Sequence, residues 1–199
     1  MTPAIRALRA DDVVPLAAAQ ARAFYDDPLQ AWALPDESTR LDVLTRLFEM
    51  MIRVVSLPLG ESYTDDSRSV GALWAPPGRW LVDAPEAAQL EPMAMIVADR
   101  LPWMRRSWEA ISSVHPEESH FYLSGLGTDP PRQGQGLGSA ALAPVLARCD
   151  ADGTPAYLES TKERNNAFYE RHGFAVTGTI AIPPDGPTLW AMWREPQRT

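Results

Sequence analysis

The sequence predicts a protein of the α/β class, in which strands and helices alternate along the chain. The 199 residues suffice for one sizeable hydrophobic core. A hydrophobic share of 45% and a charged share of 22% are typical of globular proteins. Segments of strand type are repeatedly followed by segments of helical period, and no internal repeat divides the chain. We therefore expect residues 1–199 to form one domain.

The amino-terminal half begins with a strand and two helices and continues with a hairpin. Asp11 and Asp12 can cap the first helix, and apolar residues recur at helical spacing in the second. A turn at residues 26–28 separates these helices, and a proline and glycine break ends the hairpin. The predicted elements are a strand at 5–9, a helix at 11–24, a helix from Asp36 or Ser38, and strands at 61–66 and 69–75.

The remaining chain continues the alternation of strands and helices. Residues 84–113 have a helical pattern interrupted by two prolines, and their large side chains fit a core, a substrate cap or a subunit contact. Because a subunit contact is one of these alternatives, the sequence is compatible with a homodimer. The predicted elements after this segment are strands at 120–128, 155–160, 174–182 and 189–194, and helices at 137–150 and 165–172.

Charge and cysteine content exclude several classes of protein. The net charge of −8 disfavours nucleic acid as a partner, since such binders usually carry a basic face. No apolar run approaches the length needed to span a bilayer, so no membrane association is expected. The single cysteine, Cys149, excludes an intrachain disulfide framework and fits a cytoplasmic location. The acidic chain would attract a cationic amine and repel a polyanion.

The segment from Arg132 to Ser139 contains alternate glycines directly before a helical pattern. Glycines allow the backbone to approach an anion, and the first turn of a helix offers unpaired N–H groups. A dinucleotide site is one interpretation, because Gly136, Gly138 and Ala141 have its spacing and Glu159 could contact a ribose. However, five residues separate this loop from its strand, whereas a dinucleotide fold requires a tight turn.

Two motifs in order resemble the GCN5-related N-acetyltransferases. Gln133, Gly136 and Gly138 match the Gln/Arg-x-x-Gly-x-Gly/Ala signature of the loop that holds the cofactor pyrophosphate in that family. Residues 165–174 match its Asn-x-x-Phe-Tyr-Glu-x-x-Gly-Phe segment, and the resemblance extends over residues 118–193. It implies a mixed, mostly antiparallel seven-stranded sheet flanked by helices, whose central parallel strands splay apart.

The resemblance also implies acetyl-CoA as cofactor and assigns residues to it. The catalytic and cofactor core would be residues 118–195, and acceptor specificity would lie mainly in residues 24–115. Gly127 would permit a bulge in the cofactor strand or mark close packing. The cofactor-binding residues are predicted to be Leu126, Gly127, Thr128, Arg132, Gln133, Gly134, Gln135, Gly136, Leu137, Gly138, Ser139, Asn165, Phe168 and Tyr169.

Acetyl transfer to an amine requires a neutral nucleophile and a proton for the leaving thiolate. Tyr169 matches the family's tyrosine that faces the departing sulfur. Glu159 at a strand end is the first choice for the general base, ahead of the alternatives His120, Glu118, Asp26 and Asp27. Cys149 is expected to be buried structure and Asn166 a surface or capping residue, and the histidines have no metal-ligand spacing.

The predicted function is acetyl-CoA-dependent N-acetylation of a primary amine, on a small molecule or a free amino terminus, by direct attack in a ternary complex. A catalytically inactive acetyl-CoA-binding relative is the alternative. Residue type alone suggests that an acidic and aromatic acceptor pocket is built from Asp26, Asp27, Trp32, Trp74, Trp80, Trp103 and Trp108.

Overall fold

Seven strands form one mixed sheet in a computed structural model that describes residues 4–79, 96–97 and 100–197. The strand order is β1-β2-β3-β4-β5-β7-β6, and β4 and β5 are the parallel pair within it. The strands are β1 (Ile5–Ala7), β2 (Tyr63–Asp65), β3 (Val70–Ala75), β4 (Phe121–Thr128), β5 (Ala156–Ser160), β6 (Ala175–Ala181) and β7 (Thr188–Arg194). The predicted mostly antiparallel sheet is confirmed, and it contradicts the parallel doubly wound sheet of the dinucleotide interpretation.

Helices cover both faces of this sheet. They are α1 (Val13–Ala23), α2 (Pro28–Ala33), α3 (Glu37–Met51), α4 (Leu57–Leu59), α5 (Leu101–Ser112), α6 (Leu137–Asp152) and α7 (Asn166–Glu170). A π-helical turn, Ile52–Ser56, joins α3 to α4. Of the helix predicted over residues 84–113, positions 84–95 and 98–99 lie outside the described residues, and α5 forms most of the remainder.

Helix α2 stands where the sequence predicts only a turn. Asp27 caps it, because its carboxylate accepts hydrogen bonds from the backbone N–H groups of Leu29 (3.0 Å) and Gln30 (3.2 Å). Pro28 occupies the first helical position, where its missing N–H costs nothing. A segment of six residues is too short to show a helical period, and aspartate and proline are also typical of turns. The sequence alone therefore did not distinguish this helix from a turn.

The hydrophobic core is divided between the two faces by the alternation of side chains along β3. Trp74 and Ala72 point to one face, where they pack in a cluster with residues of α6 and with Tyr169 of α7. Leu73 points to the other face and packs with residues of α1 and α3. The loop before α6 and the segment around α7 therefore lie on one side of the sheet, and α1 and α3 lie on the other.

The parallel strands β4 and β5 part after two residue pairs. Phe121 pairs with Ala156 and Tyr122 with Tyr157, and the ladder then stops. On its other edge, β4 remains paired with β3 as far as Thr128. The carboxyl-terminal half of β4 therefore has one paired edge and one edge that no longer meets β5, which is the predicted splay.

Of the two predicted roles of Gly127, the structure supports close packing, and no bulge lies at this position. The register of β3 and β4 shifts between Leu73 and Trp74, which leaves Ser124 of β4 as the extra residue. Gly127 pairs regularly with Gly71 and lies beneath Gln20 of α1, whose Nε2 donates to the Gly127 carbonyl at 3.0 Å. A Cβ atom on Gly127 would come within 3.0 Å of Gln20 Cδ and 2.9 Å of the Phe24 ring.

We predict that Gly127→Ala destabilises the fold by about 1–3 kcal/mol, because the added methyl group overpacks the contact between α1 and β4. Gly125→Ala on the same strand is the matched control, since its Cβ would meet Leu73 at an ordinary 3.6 Å. Urea unfolding of both variants measures the difference. Equal free energies of unfolding for the two variants would contradict the close-packing role of Gly127.

Asp12 ties the first strand to α1 without capping that helix. Its carboxylate is buried and accepts hydrogen bonds from Arg6 (2.7 and 2.8 Å), from Arg68 (2.8 Å) and from the Arg9 backbone N–H (2.9 Å). The hydrogen bond from the Arg6 guanidinium is the main cause that lowers the pKa of Asp12 to about 2. Through the Arg9 N–H, Asp12 therefore caps the 3₁₀ turn Ala10–Asp12 that leads into α1, and the same carboxylate is the centre of a buried charge cluster.

We predict that Asp12→Asn lowers the free energy of unfolding at pH 7 by about 2–3 kcal/mol, because it leaves two guanidinium groups without their shared carboxylate. Since the folded pKa lies below the ordinary 3.8, this difference persists above pH 4 and shrinks as the pH falls towards 2. Asp11→Asn, at an exposed carboxylate, is the control. A gap between wild type and Asp12→Asn that is unchanged at pH 2.5 would contradict the account.

Candidate active site

A cavity of about 860 Å³ opens at the place where β4 and β5 part. One part of its wall comes from the carboxyl end of β4, the glycine loop and the start of α6. Another part comes from α3 and α5, and the end of β5 and the segment around α7 complete it. The cavity thus extends from one face of the sheet to the other through the gap between the parallel strands.

The glycine loop has the conformation that an anion site requires. Gly134 and Gly136 have left-handed backbones, with φ of 74° and 77°, and a Cβ on either would meet nothing within 4 Å. Gly136 forms the cap of α6 without a side chain, and the first helical hydrogen bond runs from Ala140 N to Gly136 O at 3.0 Å. The N–H groups of residues 137–139 therefore have no partner within the helix.

The two sequence motifs contact each other. The missing side chain at Gly138 leaves room for the Phe168 ring, since a Cβ there would lie 3.3 Å from Phe168 Cζ. Ser139 Oγ and His172 Nε2 are 2.9 Å apart and share a hydrogen bond. Burial, together with the nearby cations Arg171 and Arg194, lowers the pKa of His172. The helix after the glycine loop is thus fixed to the segment that carries Tyr169.

Polar contacts close the loop onto the end of β4. Gln133 Nε2 donates to the Thr128 carbonyl at 3.0 Å. Arg22 of α1 forms two hydrogen bonds with the Asp129 carboxylate, at 2.7 and 2.8 Å. Arg22 lines the cavity and was not predicted, because 107 residues separate it from its partner. Only the folded arrangement of α1 beside β4 brings these two side chains together.

Nearly all of the predicted cofactor residues line the cavity. Gln135 does not line it; its amide accepts a hydrogen bond from Arg132 Nε at 3.1 Å and donates to the Pro131 carbonyl at 3.4 Å. Asn165 lines the cavity as predicted for a ligand contact. Its neighbour Asn166 is buried, at 8% exposure, and so differs from the expected surface or capping residue.

Tyr169 lies in the wall of the cavity on the α7 side. Its side chain packs in the core cluster with residues of α6, and its ring makes an edge contact with Phe168, 5.2 Å between centroids. Burial is the main cause that raises the pKa of the phenol, and the negative charge of Asp27 raises it further. Tyr169 therefore stays protonated at neutral pH.

Glu159 lies in the cavity wall at the end of β5. Its side chain is only 5% exposed, and its Oε2 accepts a hydrogen bond from Tyr122 at 2.8 Å. Its Oε1 is 3.8 Å from His115 Nδ1 and has no hydrogen-bond partner among the described residues. One oxygen of the carboxylate is thus held by Tyr122, and the other is shielded from solvent beside His115.

The other candidates for the general base are less suitably placed. His120 and Glu118 do not line the cavity, and burial lowers the pKa of His120. Asp26 is exposed and paired with Lys162 at 2.6 Å. Asp27 lines the cavity, but both of its oxygens accept hydrogen bonds, from Thr161 and from the first turn of α2. Burial raises the pKa of Asp27.

The tryptophans do not form the aromatic pocket that residue type suggested. Trp108 lines the cavity, whereas Trp74 is buried in the core beneath α6. Trp32 packs in the core on the opposite face, and Trp103 stacks with Arg100, whose guanidinium carbon lies 4.1 Å from its ring centroid. Trp80 lies outside the described residues. Leucine, phenylalanine and methionine side chains of α3 and α5 form the apolar wall instead.

Cys149 lies in the core, and the histidines form no metal site among the described residues. Cys149 is fully buried on α6, and this burial raises the pKa of its thiol to about 11, so the thiolate nucleophile is disfavoured. Within residues 4–79, 96–97 and 100–197, no group of three or more His, Cys, Asp or Glu is arranged to hold a metal ion.

In the same part of the chain, no helix is long and apolar enough to cross a bilayer.

Comparisons with known proteins agree with this geometry. The chain is 26% identical to an uncharacterised N-acetyltransferase of Schizosaccharomyces pombe, over 98% of this chain and 84% of the relative. A Corynebacterium glutamicum structure described as histone acetyltransferase HPA2 and related acetyltransferase has 26% identity and a TM-score of 0.75, covering 100% of this chain and 99% of that one.

A more distant structure, a polyamine N-acetyltransferase of Drosophila melanogaster, has 15% identity and a TM-score of 0.62, over 96% of this chain and 99% of that one. It supports the fold alone. The sequence profile of the acetyltransferase (GNAT) family matches residues 48–174, which span β3, the splayed strands, the glycine loop and α7. The chain belongs to the GNAT family and is an N-acetyltransferase of that family.

Proposed function

We propose that this protein transfers an acetyl group from acetyl-CoA to a primary amine by direct attack of the amine in a ternary complex. The observation that carries the proposal is the gap between β4 and β5, which begins after Tyr122 and Tyr157 and is lined by both Tyr169 and Glu159. A proton donor and a proton acceptor thus line one cavity, as acetyl transfer to an amine requires.

The residues around the glycine loop fit a coenzyme A pyrophosphate. Gly134 and Gly136 expose their backbones, and the N–H groups of residues 137–139 form the positive end of the α6 dipole. The free edge of β4, at residues 126–128, can pair with an extended amide-containing arm as an added strand would. When bound, acetyl-CoA supplies the activated acetyl thioester. This assignment is supported by the lining of the cavity, which includes every predicted cofactor residue except Gln135.

Glu159 is the proposed acceptor of the amine proton. The Glu159 side chain lines the cavity and accepts one hydrogen bond, from Tyr122, so the carboxylate keeps the capacity to accept that proton. An alkylamine with a pKa of about 10.4 is less than a thousandth neutral at pH 7, whereas an α-amine near 7.7 is roughly one-sixth neutral. The need for Glu159 therefore grows with the basicity of the acceptor.

Tyr169 is the proposed proton donor to the departing thiolate. Its raised pKa keeps the Oη proton in place, and it also makes full transfer to a thiolate with an ordinary pKa of about 8.5 unfavourable. Tyr169 therefore acts chiefly as a hydrogen-bond donor to the thiolate as negative charge develops there.

The cavity lining supports separate roles for two parts of one domain, residues 1–199. Cofactor residues come from residues 118–195, and most of the apolar cavity wall comes from α3 and α5, within residues 24–115. A cytoplasmic location and a homodimer remain predictions from the sequence.

Release of free thiol from acetyl-CoA tests the proposed function. Purified protein is incubated with acetyl-CoA and a panel of primary amines, and thiol release is measured beside formation of the acetylated amine by mass spectrometry. We expect saturable release that depends on the amine. Silence with every amine, although coenzyme A binds, would favour the inactive acetyl-CoA-binding alternative.

We predict that Tyr169→Phe lowers kcat by about 10- to 100-fold and changes the Kd for coenzyme A by less than about threefold, because the hydroxyl acts on the leaving group. The loss should be equal from pH 6 to 9, since the phenol does not titrate in that range. Tyr63→Phe on β2, outside the cavity, is the control. An unchanged kcat in Tyr169→Phe would remove this residue from the mechanism.

A further inference from the structure

The wall that faces away from the glycine loop is apolar. We call it the apolar wall and define it as Leu44, Leu47 and Phe48 of α3 and Met104, Trp108 and Ile111 of α5. Ile111 and Trp108 pack in one cluster with Tyr122, the residue that holds Glu159. The Glu159 carboxylate therefore lies close to the apolar wall.

The other carboxylates of the described cavity lining are already neutralised or saturated. Asp26 is paired with Lys162 at 2.6 Å and lies 3.7 Å from Arg164. Asp27 accepts hydrogen bonds at both oxygens, from Leu29 and Gln30 at one and from Thr161 at the other. Among the acidic groups that the structure describes around this cavity, Glu159 is thus the one that pairs with no lysine, arginine or backbone N–H group.

The cations of the lining are associated with the cofactor side. Arg22 is bound to Asp129, Arg132 donates to Gln135, and Arg171 lies over the Phe168 ring. Lys162 and Arg164 neutralise Asp26. Among the described lining residues on the side of α3 and α5, an acceptor that enters beside the apolar wall therefore finds the Glu159 carboxylate, the Ser107 hydroxyl and apolar side chains.

On the basis of the proposed function, we infer that the acceptor is a primary monoamine with an apolar body, such as 2-phenylethylamine or hexylamine. Its ammonium group lies beside the Glu159 carboxylate, which lines the cavity, and its hydrocarbon packs on the apolar wall. A diamine of the same length would bury its second ammonium group among leucine, phenylalanine and methionine side chains, where no carboxylate of the described residues compensates its lost hydration. Polyamines are therefore poor acceptors.

The test compares three acceptors of equal length: hexylamine, 6-amino-1-hexanol and 1,6-diaminohexane. The measured quantity is kcat/KM for thiol release at pH 8. We expect hexylamine to exceed the diamine by about 100-fold, with the amino alcohol between them, because a hydroxyl group costs less to bury than a charge. A diamine that reacts as well as hexylamine, or activity confined to peptide amino termini, would overturn the inference.

A charge placed in the apolar wall provides a second test. Met104→Glu should raise the ratio of diamine to hexylamine kcat/KM by at least about tenfold, because it supplies a partner for the second ammonium group. Val114→Glu adds the same charge at an exposed position outside the cavity and should leave the ratio unchanged. Equal ratios in the two variants, each with an unchanged Kd for coenzyme A, would overturn the inference.

These outcomes separate the two proposals. If no amine releases thiol, the proposed function itself fails. If amines are acetylated without discrimination against a second charge, the proposed function stands and the monoamine preference is wrong. Melting temperature and coenzyme A binding of each variant confirm that it is folded before its kinetics are compared.

Discussion

The active site depends on the parting of β4 from β5 after Tyr122. A parallel pair normally continues its ladder, because unpaired backbone groups are costly to bury. Here β3 holds β4 on one side as far as Thr128, while β5 holds on to β7 through Ser160. Each central strand thus has a firm partner on its outer edge, and the inner edges are free to separate.

Three local features maintain this separation. The extra residue at Ser124 changes the register between β3 and β4, and its hydroxyl donates to the Leu73 carbonyl at 3.0 Å. Gln20 fills the space above Gly71 and Gly127 and binds the Gly127 carbonyl. Arg22 then fixes Asp129 at the end of the strand. Helix α1 therefore supports β4 where β5 no longer does, and an acyl carrier can lie along the exposed edge.

The sequence predicted the parts of the site that are local in the chain. The alternate glycines before α6 and the segment from Asn165 to Phe174 are continuous patterns, and both lie where they were expected. Arg22 and the apolar side chains of α3 come from distant segments, and only the packing of α1 and α3 on the sheet selects them, whereas Trp108 was among the aromatic residues that residue type suggested. Gly127 shows the same limit: its reason is Gln20, which lies 107 residues away.

Amide hydrogen exchange tests the central claim most directly, because it reports on the backbone groups that the splay leaves available. With coenzyme A at 100 times its Kd, the amides that receive the ligand within residues 126–128 and 134–139 should exchange up to about 100-fold more slowly. Amides of the edge strand β6, at residues 175–181, that exchange by local opening should not change, because the ligand slows only openings that disrupt its site. Saturable binding of coenzyme A that leaves exchange in both cofactor segments unaltered would contradict the account.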